Sequence, residues 1–278
     1  MKRKTKIQAI DPGDGNLNNY ELDDDLYGGV KTSFVDKDIF ELNDWRSKGV
    51  SKSIGELDAP LIVIDDFYKN PDKVREFALS CPFSKSEFKN NASPGVRCVL
   101  PIEWDINEVG KTFFRYWFEE KLNINYPFKK LTPACFTMID TAEPMKPLQT
   151  YPHIDINFFN GEDLGDAGTA HVALIIYLNK PDECKGGTGI YKSVQSDCTI
   201  IKNKEHFMEY HDKQMALEKR SKRKTNVNGG DRNWKLIEKI DMKYNRAIFY
   251  PTNLFHHPIW DKKMFNNPNY RFTQVGFI

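Results

Sequence analysis

The sequence has no apolar run approaching the roughly 20 residues that a membrane-spanning helix needs, so no such span is expected. A secretory leader pattern is also missing. Met1 to Lys6 is basic, but no apolar segment follows it. Cysteine is scarce: Cys81, Cys98, Cys135, Cys184 and Cys198 are odd in number and show no Cys-x-x-Cys spacing. No disulfide framework is expected from them, and they read as reduced thiols of a cytoplasmic protein, mostly filling the core. Excess charge is lacking too, with 40 Lys and Arg against 39 Asp and Glu and a formal net charge of +1. Overall charge therefore gives no reason to expect nucleic acid or an acidic partner. What is present is a globular composition, 40% hydrophobic and 13% aromatic, in a chain of 278 residues, near the upper end for one core.

Residues 1–58 are polar and irregular and read as an arm or flank of the folded part, with turn chemistry at Asp11-Pro-Gly-Asp-Gly15 and an acidic run at Asp23 to Asp25. Residues 59–278 read as a single domain. Leu61 to Ile64 has the length and composition of a buried strand, bounded by Pro60 and Asp65-Asp66. Asn70 is placed to cap a helix with Pro71 at its first position. Val74, Phe77, Ala78 and Cys81 follow at helical spacing and Pro82 ends the run. A second helix is expected from about Asp105, with Glu108 completing a capping box and Ile106, Val109, Phe113 and Trp117 on its apolar face. Both helices, within 59–131, would buttress a sheet.

From residue 132 the period changes from helical to that of strands. Cys135 to Ile139, Thr150 to Asp155, His171 to Leu178, Gly186 to Tyr191, Ala247 to Tyr250 and Phe272 to Ile278 are short β-type runs separated by turn residues. Their number, without helices between them, predicts a mainly β (α+β) fold built as a sandwich or barrel. Residues 201–234 interrupt the series with a basic segment, Lys219 to Lys224 holding five basic residues in six positions. The expectation is a solvated insertion, with His206 and His211 on the surface. A nucleic-acid patch is the sharper alternative.

The chemistry is expected around His153 and Asp155. In a strand, residues i and i+2 share a face, so one imidazole and one carboxylate would project together. That is two thirds of the 2-His-1-carboxylate triad that holds non-haem Fe(II) with positions left open. Asn253-Leu-Phe-His256-His257-Pro258 offers the third ligand. His256 is favoured because it follows Leu254-Phe255, and His257 is the alternative. Arg271 and Thr273 again share a face and form a clamp suited to a small carboxylate. Tyr151 either hydrogen-bonds a cosubstrate and lines the pocket or packs in the core.

Together, His153-x-Asp155, His256 and Arg271-x-Thr273 resemble the Fe(II)- and 2-oxoglutarate-dependent oxygenases of the prolyl-hydroxylase-like type. Tyr177-Leu-Asn179, Gly186-Gly-Thr188 and Asn245 to Tyr250 fall between the ligands in the same order as in those enzymes, and the likeness covers about 132–278. Upstream, Ile62 to Tyr68, Asn70-Pro71 and Pro94-Gly95 are similar to an uncharacterised bacterial and phage subgroup of oxygenase-like proteins. The resemblance implies a double-stranded β-helix, or jelly roll, with supporting N-terminal helices. It implies Fe(II) on His153, Asp155 and His256, 2-oxoglutarate on Arg271 with Thr273, and O2 as co-reactant. The implied reaction is hydroxylation with release of succinate and CO2, on a protein side chain or a small molecule. Because Asp155 is present, the halogenating relatives, which leave that position to halide, are not favoured. The competing expectation is a jelly-roll binding or phage structural module without turnover.

Overall fold

Near-continuous burial marks the central strands of the larger of two antiparallel sheets. The computed structural model describes residues 37–44, 48–81, 83–85, 94–99, 116–117, 135–145, 147–155, 172–218 and 226–277. Its strands are β1 Gly49–Ile54, β2 Ala59–Ile64, β3 Ser84–Lys85, β4 Val96–Val99, β5 Cys135–Ile139, β6 Val172–Tyr177, β7 Gly187–Ser193, β8 Trp234–Asp241, β9 Ala247–Pro251, β10 His256–Ile259 and β11 Arg271–Phe277. Eight of them pair in the order β1-β2-β9-β6-β11-β5-β4-β3, and three pair as β10-β7-β8. The fold is mainly β.

The eight-stranded sheet is apolar on both faces. On one face Ile62, Leu174, Ile176 and Phe249 pack beneath helix α1, Pro71–Ser80, through its Val74 and Ala78. Each such buried aliphatic side chain contributes about 2 kcal/mol of transfer free energy. On the other face Leu61, Ala173, Tyr177, Ile248 and Tyr250 meet Ile190 of β7 and Ile240 of β8. The small sheet thus covers the face on which alternate residues of β5, β6, β9 and β11 point inward.

α1 begins at Pro71 as expected, but Asn70 caps it through its backbone only. Its carbonyl accepts from Val74 N at 3.2 Å, and its side chain makes no cap bond. The helix stops because Cys81 is extended, the conformation that the following Pro82 imposes. The second expected helix, from Asp105, lies outside the described residues except for Tyr116 and Trp117. No helix among the described residues is long and apolar enough to cross a membrane.

Two expectations about organisation are corrected. The polar flank was expected to end at residue 58, yet β1 pairs along its whole length with β2, so the sheet begins before residue 59. The stretch 201–234 is not simply a solvated insertion. It contains helix α2, Lys204–Glu218, whose Phe207 and Tyr210 are buried with Val227 against Tyr191, Trp234 and Phe255. Phe207, Tyr210 and Gln214 are spaced i, i+3 and i+7, an inward stripe concealed by the charge around it. The segment ends in β8, a strand with alternating burial that was not anticipated. Lys219 to Lys224 lie outside the described residues.

Two local devices hold the sheets in register. Arg246 donates to Asp65 twice, from Nε at 2.6 Å and Nη2 at 3.1 Å, and Lys243 donates to the same carboxylate at 2.9 Å. This fork ties the end of β2 to the start of β9. At the start of β7, Gly186 and Gly187 have φ of +64° and +147°. A Cβ at Gly186 would lie 1.9 Å from the Ile259 carbonyl oxygen, and one at Gly187 would lie 2.0 Å from that of Ile240. Only glycine permits both the conformation and this approach of β7 to its two neighbours.

Candidate metal centre

The site starts from a single pair of backbone hydrogen bonds. His153 N donates to His256 O at 3.0 Å, and His256 N donates to His153 O at 3.0 Å. Asp155 N then donates to Thr252 O at 2.7 Å. The expected strand from Thr150 to Asp155 is not formed. Residues Pro147–Thr150 make a 3-10 turn, and His153 pairs with His256 as an isolated bridge. Pro152 has no N–H to give to a ladder, which accounts for the interruption.

The bridge nevertheless places the side chains together. One potential ligand atom each from His153, Asp155 and His256 lies within 4.8 Å of the others, a group that could hold a metal ion. His256 Nε2 is 3.2 Å from Asp155 Oδ2, and His153 Nε2 is 3.6 Å from Asp155 Oδ1. Three donors bound to one ion at about 2.1 Å must lie within roughly 4.2 Å of one another, so only a small contraction is required. The three differ in access: the side chains of His153, Asp155 and His256 are 42%, 18% and 5% exposed.

His256 is prepared as a ligand. Its Nδ1 lies 3.0 Å from the Leu254 carbonyl, which can only accept, so Nδ1 carries the proton and Nε2 faces Asp155. Such a backbone partner fixes both tautomer and ring orientation. Burial opposes charging the ring, but Asp155 outweighs it and raises the His256 pKa above its ordinary value. Burial and then the neighbouring His256 hold His153 down to about 4, so its ring is neutral at pH 7. For Asp155, burial works to raise the carboxyl, but His256 and His153 pull it below the usual carboxylate range.

His257 is engaged elsewhere. Its Nε2 is 3.1 Å from the Gln149 carbonyl and its Nδ1 is 2.8 Å from that of Pro258. Burial pushes its pKa to about 3, so the ring is neutral and only one of these nitrogens donates. Of the two adjacent histidines, His256 is the one brought to His153 and Asp155. Tyr151 is buried in the cluster of Tyr191, Phe207, Tyr210 and Phe255, the packing alternative of the two considered for it.

Arg271 and Thr273 lie on the same inward face of β11 as Tyr177, the cross-strand partner of Thr273. Arg271 is 4% exposed, yet it has no carboxylate partner and its Nε has no hydrogen-bond partner among the described residues. Its guanidinium carbon lies 5.7 Å from the ring centres of both Tyr177 and Trp260. Burial holds its pKa below the ordinary arginine value, opposed by Tyr177 and Tyr250. Thr273 Oγ1 is 2.6 Å from Thr137 Oγ1, so one hydroxyl of the pair keeps its proton for another acceptor.

Two residues overlooked in the sequence join these parts. The Tyr250 ring centre is 4.7 Å from that of His256, and Tyr250 also interacts electrostatically with Asp155 and Arg271. It therefore stands between the ligand triad and the buried guanidinium. Arg97, on β4, pairs with Thr137 and so shares the inward face of Thr137 and Thr273, and it contributes a small influence on the charge of His153 and Asp155. Its signal was present in the sequence: one charge inside Val96-Arg97-Cys98-Val99, an otherwise apolar strand.

A family model described as Family of unknown function (DUF6445) matches residues 47–272, which includes the triad and Arg271. No curated protein matches the chain.

Proposed function

We propose that this chain, which belongs to the family of unknown function DUF6445, is an Fe(II)- and 2-oxoglutarate-dependent dioxygenase that hydroxylates a protein side chain or a small molecule. The observation that carries the reading is Arg271. A buried guanidinium without an anionic partner costs several kcal/mol, and proteins rarely retain one unless a ligand supplies the anion. Here it lies on the same inner face as Tyr250, whose ring touches the ligand triad. The donor set fits as well: two imidazoles and one carboxylate on one side suit a non-haem Fe(II) that keeps positions open. A large sheet covered by a small one, with His153 bridging to β10, supports a double-stranded β-helix as the fold.

In this reading His153, Asp155 and His256 would hold the metal, and Arg271 would receive the far carboxylate of 2-oxoglutarate as a bidentate pair. When bound, Fe(II) and 2-oxoglutarate supply the oxidising power for C–H hydroxylation by O2, with succinate and CO2 as co-products. The protein supplies position and dryness. Leu254 O keeps the His256 lone pair aimed at the metal position. Tyr177, Tyr250 and Trp260 exclude water around Arg271, which strengthens its attraction for a carboxylate. The free hydroxyl proton of the Thr137–Thr273 pair adds a donor on the same face. His153, the most exposed ligand, marks the side from which a substrate approaches.

The test is anaerobic addition of 2-oxoglutarate to the Fe(II)-loaded protein, followed through the visible charge-transfer absorption of a chelated 2-oxo acid. Admission of O2 with cell extract should then yield succinate. Absence of the absorption would reject the oxygenase in favour of a non-catalytic binding module.

A further inference from the structure

One turn, from Pro251 at the end of β9 to Leu254, holds two of the three residues of the candidate metal centre. Thr252 O accepts from Asp155 N at 2.7 Å, and Leu254 O lies 3.0 Å from Nδ1 of His256. The turn is itself fixed. Leu254 N donates to Pro251 O at 3.0 Å, and Leu254 bridges to Ile200. Asn253 is fully buried and bonded twice to Ile201: its carbonyl accepts from Ile201 N at 3.0 Å, and its Nδ2 donates to Ile201 O at 2.7 Å.

Within this turn Thr252 is 2% exposed, and its Oγ1 is buried with no hydrogen-bond partner among the described residues. A buried hydroxyl left unpaired is costly, and valine would fill the same space without that cost. The Asp155 carboxylate has the complementary need. Without metal, its Oδ2 is 3.2 Å from Nε2 of His256 and its Oδ1 is 3.6 Å from Nε2 of His153. When both imidazoles give those lone pairs to an ion, neither nitrogen can donate to Asp155. A carboxylate that offers one oxygen to the ion then keeps a second oxygen with no donor from the triad. Ligating carboxylates are ordinarily hydrogen-bonded in their turn.

We infer that Thr252 is a positioning residue of the metal centre: its hydroxyl donates to the Asp155 oxygen that does not bind the metal, and so fixes which oxygen does. This rests on the metal-centre part of the oxygenase reading and adds an outer group to it. The two residues are already joined through the backbone and both side chains are short, so the bond requires rotation about χ1 and no movement of the turn. The same turn then serves both ligands, His256 through the Leu254 carbonyl and Asp155 through the Thr252 carbonyl and hydroxyl.

The experiment uses the full chain and Mn(II) alone, and compares wild type, Thr252→Val and Thr252→Ser. Urea melts with a chelator present give the stability of the metal-free protein, and equilibrium dialysis gives the Mn(II) affinity. Metal-free Thr252→Val should unfold at the same urea concentration as wild type or a higher one, because it removes an unpaired hydroxyl. Its Mn(II) affinity should nevertheless fall about tenfold, the lower end for losing an outer-shell partner. Thr252→Ser, which keeps the hydroxyl, should recover most of that loss. Wild-type Mn(II) affinity in Thr252→Val, or an equal loss in Thr252→Ser, would overturn the inference and leave the metal centre standing. Marked destabilisation of metal-free Thr252→Val would also overturn it, since the hydroxyl would then be serving the fold. Failure of the wild type to bind Mn(II) would overturn both the inference and the metal centre. Because neither 2-oxoglutarate nor O2 is added, a wild type that binds Mn(II) but not 2-oxoglutarate would reject the oxygenase alone.

Discussion

Asp155 Oδ2 lies 3.2 Å from Nε2 of His256, although about a hundred residues of chain separate them. Without metal, a proton shared in this pair offsets the negative charge of Asp155; in the proposed metal-bound form both groups would turn to the ion. Asp155→Asn and His256→Ala should each weaken Mn(II) binding by more than about 100-fold, beyond the usual cost of losing an outer-shell partner. His257→Ala should keep the metal and lose roughly 1–3 kcal/mol of stability, because a carbonyl is left without its imidazole. Equilibrium dialysis and urea melts of the three variants check this. Metal loss confined to His257→Ala would reassign the third ligand.

Arg271→Ala should weaken 2-oxoglutarate binding to the Mn(II)-loaded protein by roughly 2–4 kcal/mol and leave metal affinity nearly unchanged. Arg271→Lys should recover only part of the loss. Arg271→Met carries a further expectation. In the ligand-free protein it should be neutral or stabilising, since it removes a buried charge that has no carboxylate partner among the described residues. Anaerobic calorimetry and thermal melts measure both. Marked destabilisation by Arg271→Met would mean that the arginine serves the fold.

Phe207→Ala should cost about 3 kcal/mol, as expected for a buried phenylalanine. Replacing residues 203–230 by a short Gly/Ser linker should lower stability further, because it also removes Tyr210 and Val227 from the cluster around Trp234 and Phe255. A linker variant that melts like wild type would restore the view of this stretch as a dispensable insertion.

The Asp65–Arg246 fork predicts an acid limit. Hydrogen bonding to Arg246 is the largest influence on the Asp65 carboxyl, and its pKa in the folded protein is lowered below the ordinary 3.8. A depressed carboxylate contributes stability that is present above its unfolded pKa and lost as pH falls through the folded value. Arg246→Gln should therefore have a lower urea midpoint than wild type at pH 7, and the gap should narrow as pH falls through and below 3.8. A gap that is constant from pH 7 to pH 3 would show that packing, not the ion pair, is responsible.

The His153–Asp155–His256 cluster was more legible in the sequence than the segment that carries it. His153 and Asp155 stood out as a pair, yet Pro152 kept their segment out of the ladder, and a bridge of one residue did the work expected of a strand. The strands 135–139, 172–177, 247–251 and 271–277 were readable because burial on both faces selects continuous β-branched and aromatic runs. β8 and α2 were hidden because each is buried on one side only, and their outward charges dominated the composition. Arg97 and Tyr250 were missed for a related reason. Each is an inward-facing residue whose meaning depends on which strands become neighbours, and even the lone charge in Val96-Arg97-Cys98-Val99 does not say what it will face.

The contact between Gly186 and the Ile259 carbonyl bears on how variation in this chain is to be read. Ile259 ends the short strand that His256 begins, and that strand lies on β7 with no slack. An alanine at Gly186 would wedge the two strands apart at one end and tilt the imidazole at the other. Its phenotype would be loss of metal, in a protein whose ligands are all intact and whose fold is otherwise preserved. Supplying excess Mn(II) should partly rescue such a variant, whereas it should not rescue His256→Ala. Harmful changes far from the ligands in sequence can thus be sorted, by metal titration alone, into those that unseat a strand and those that remove a donor.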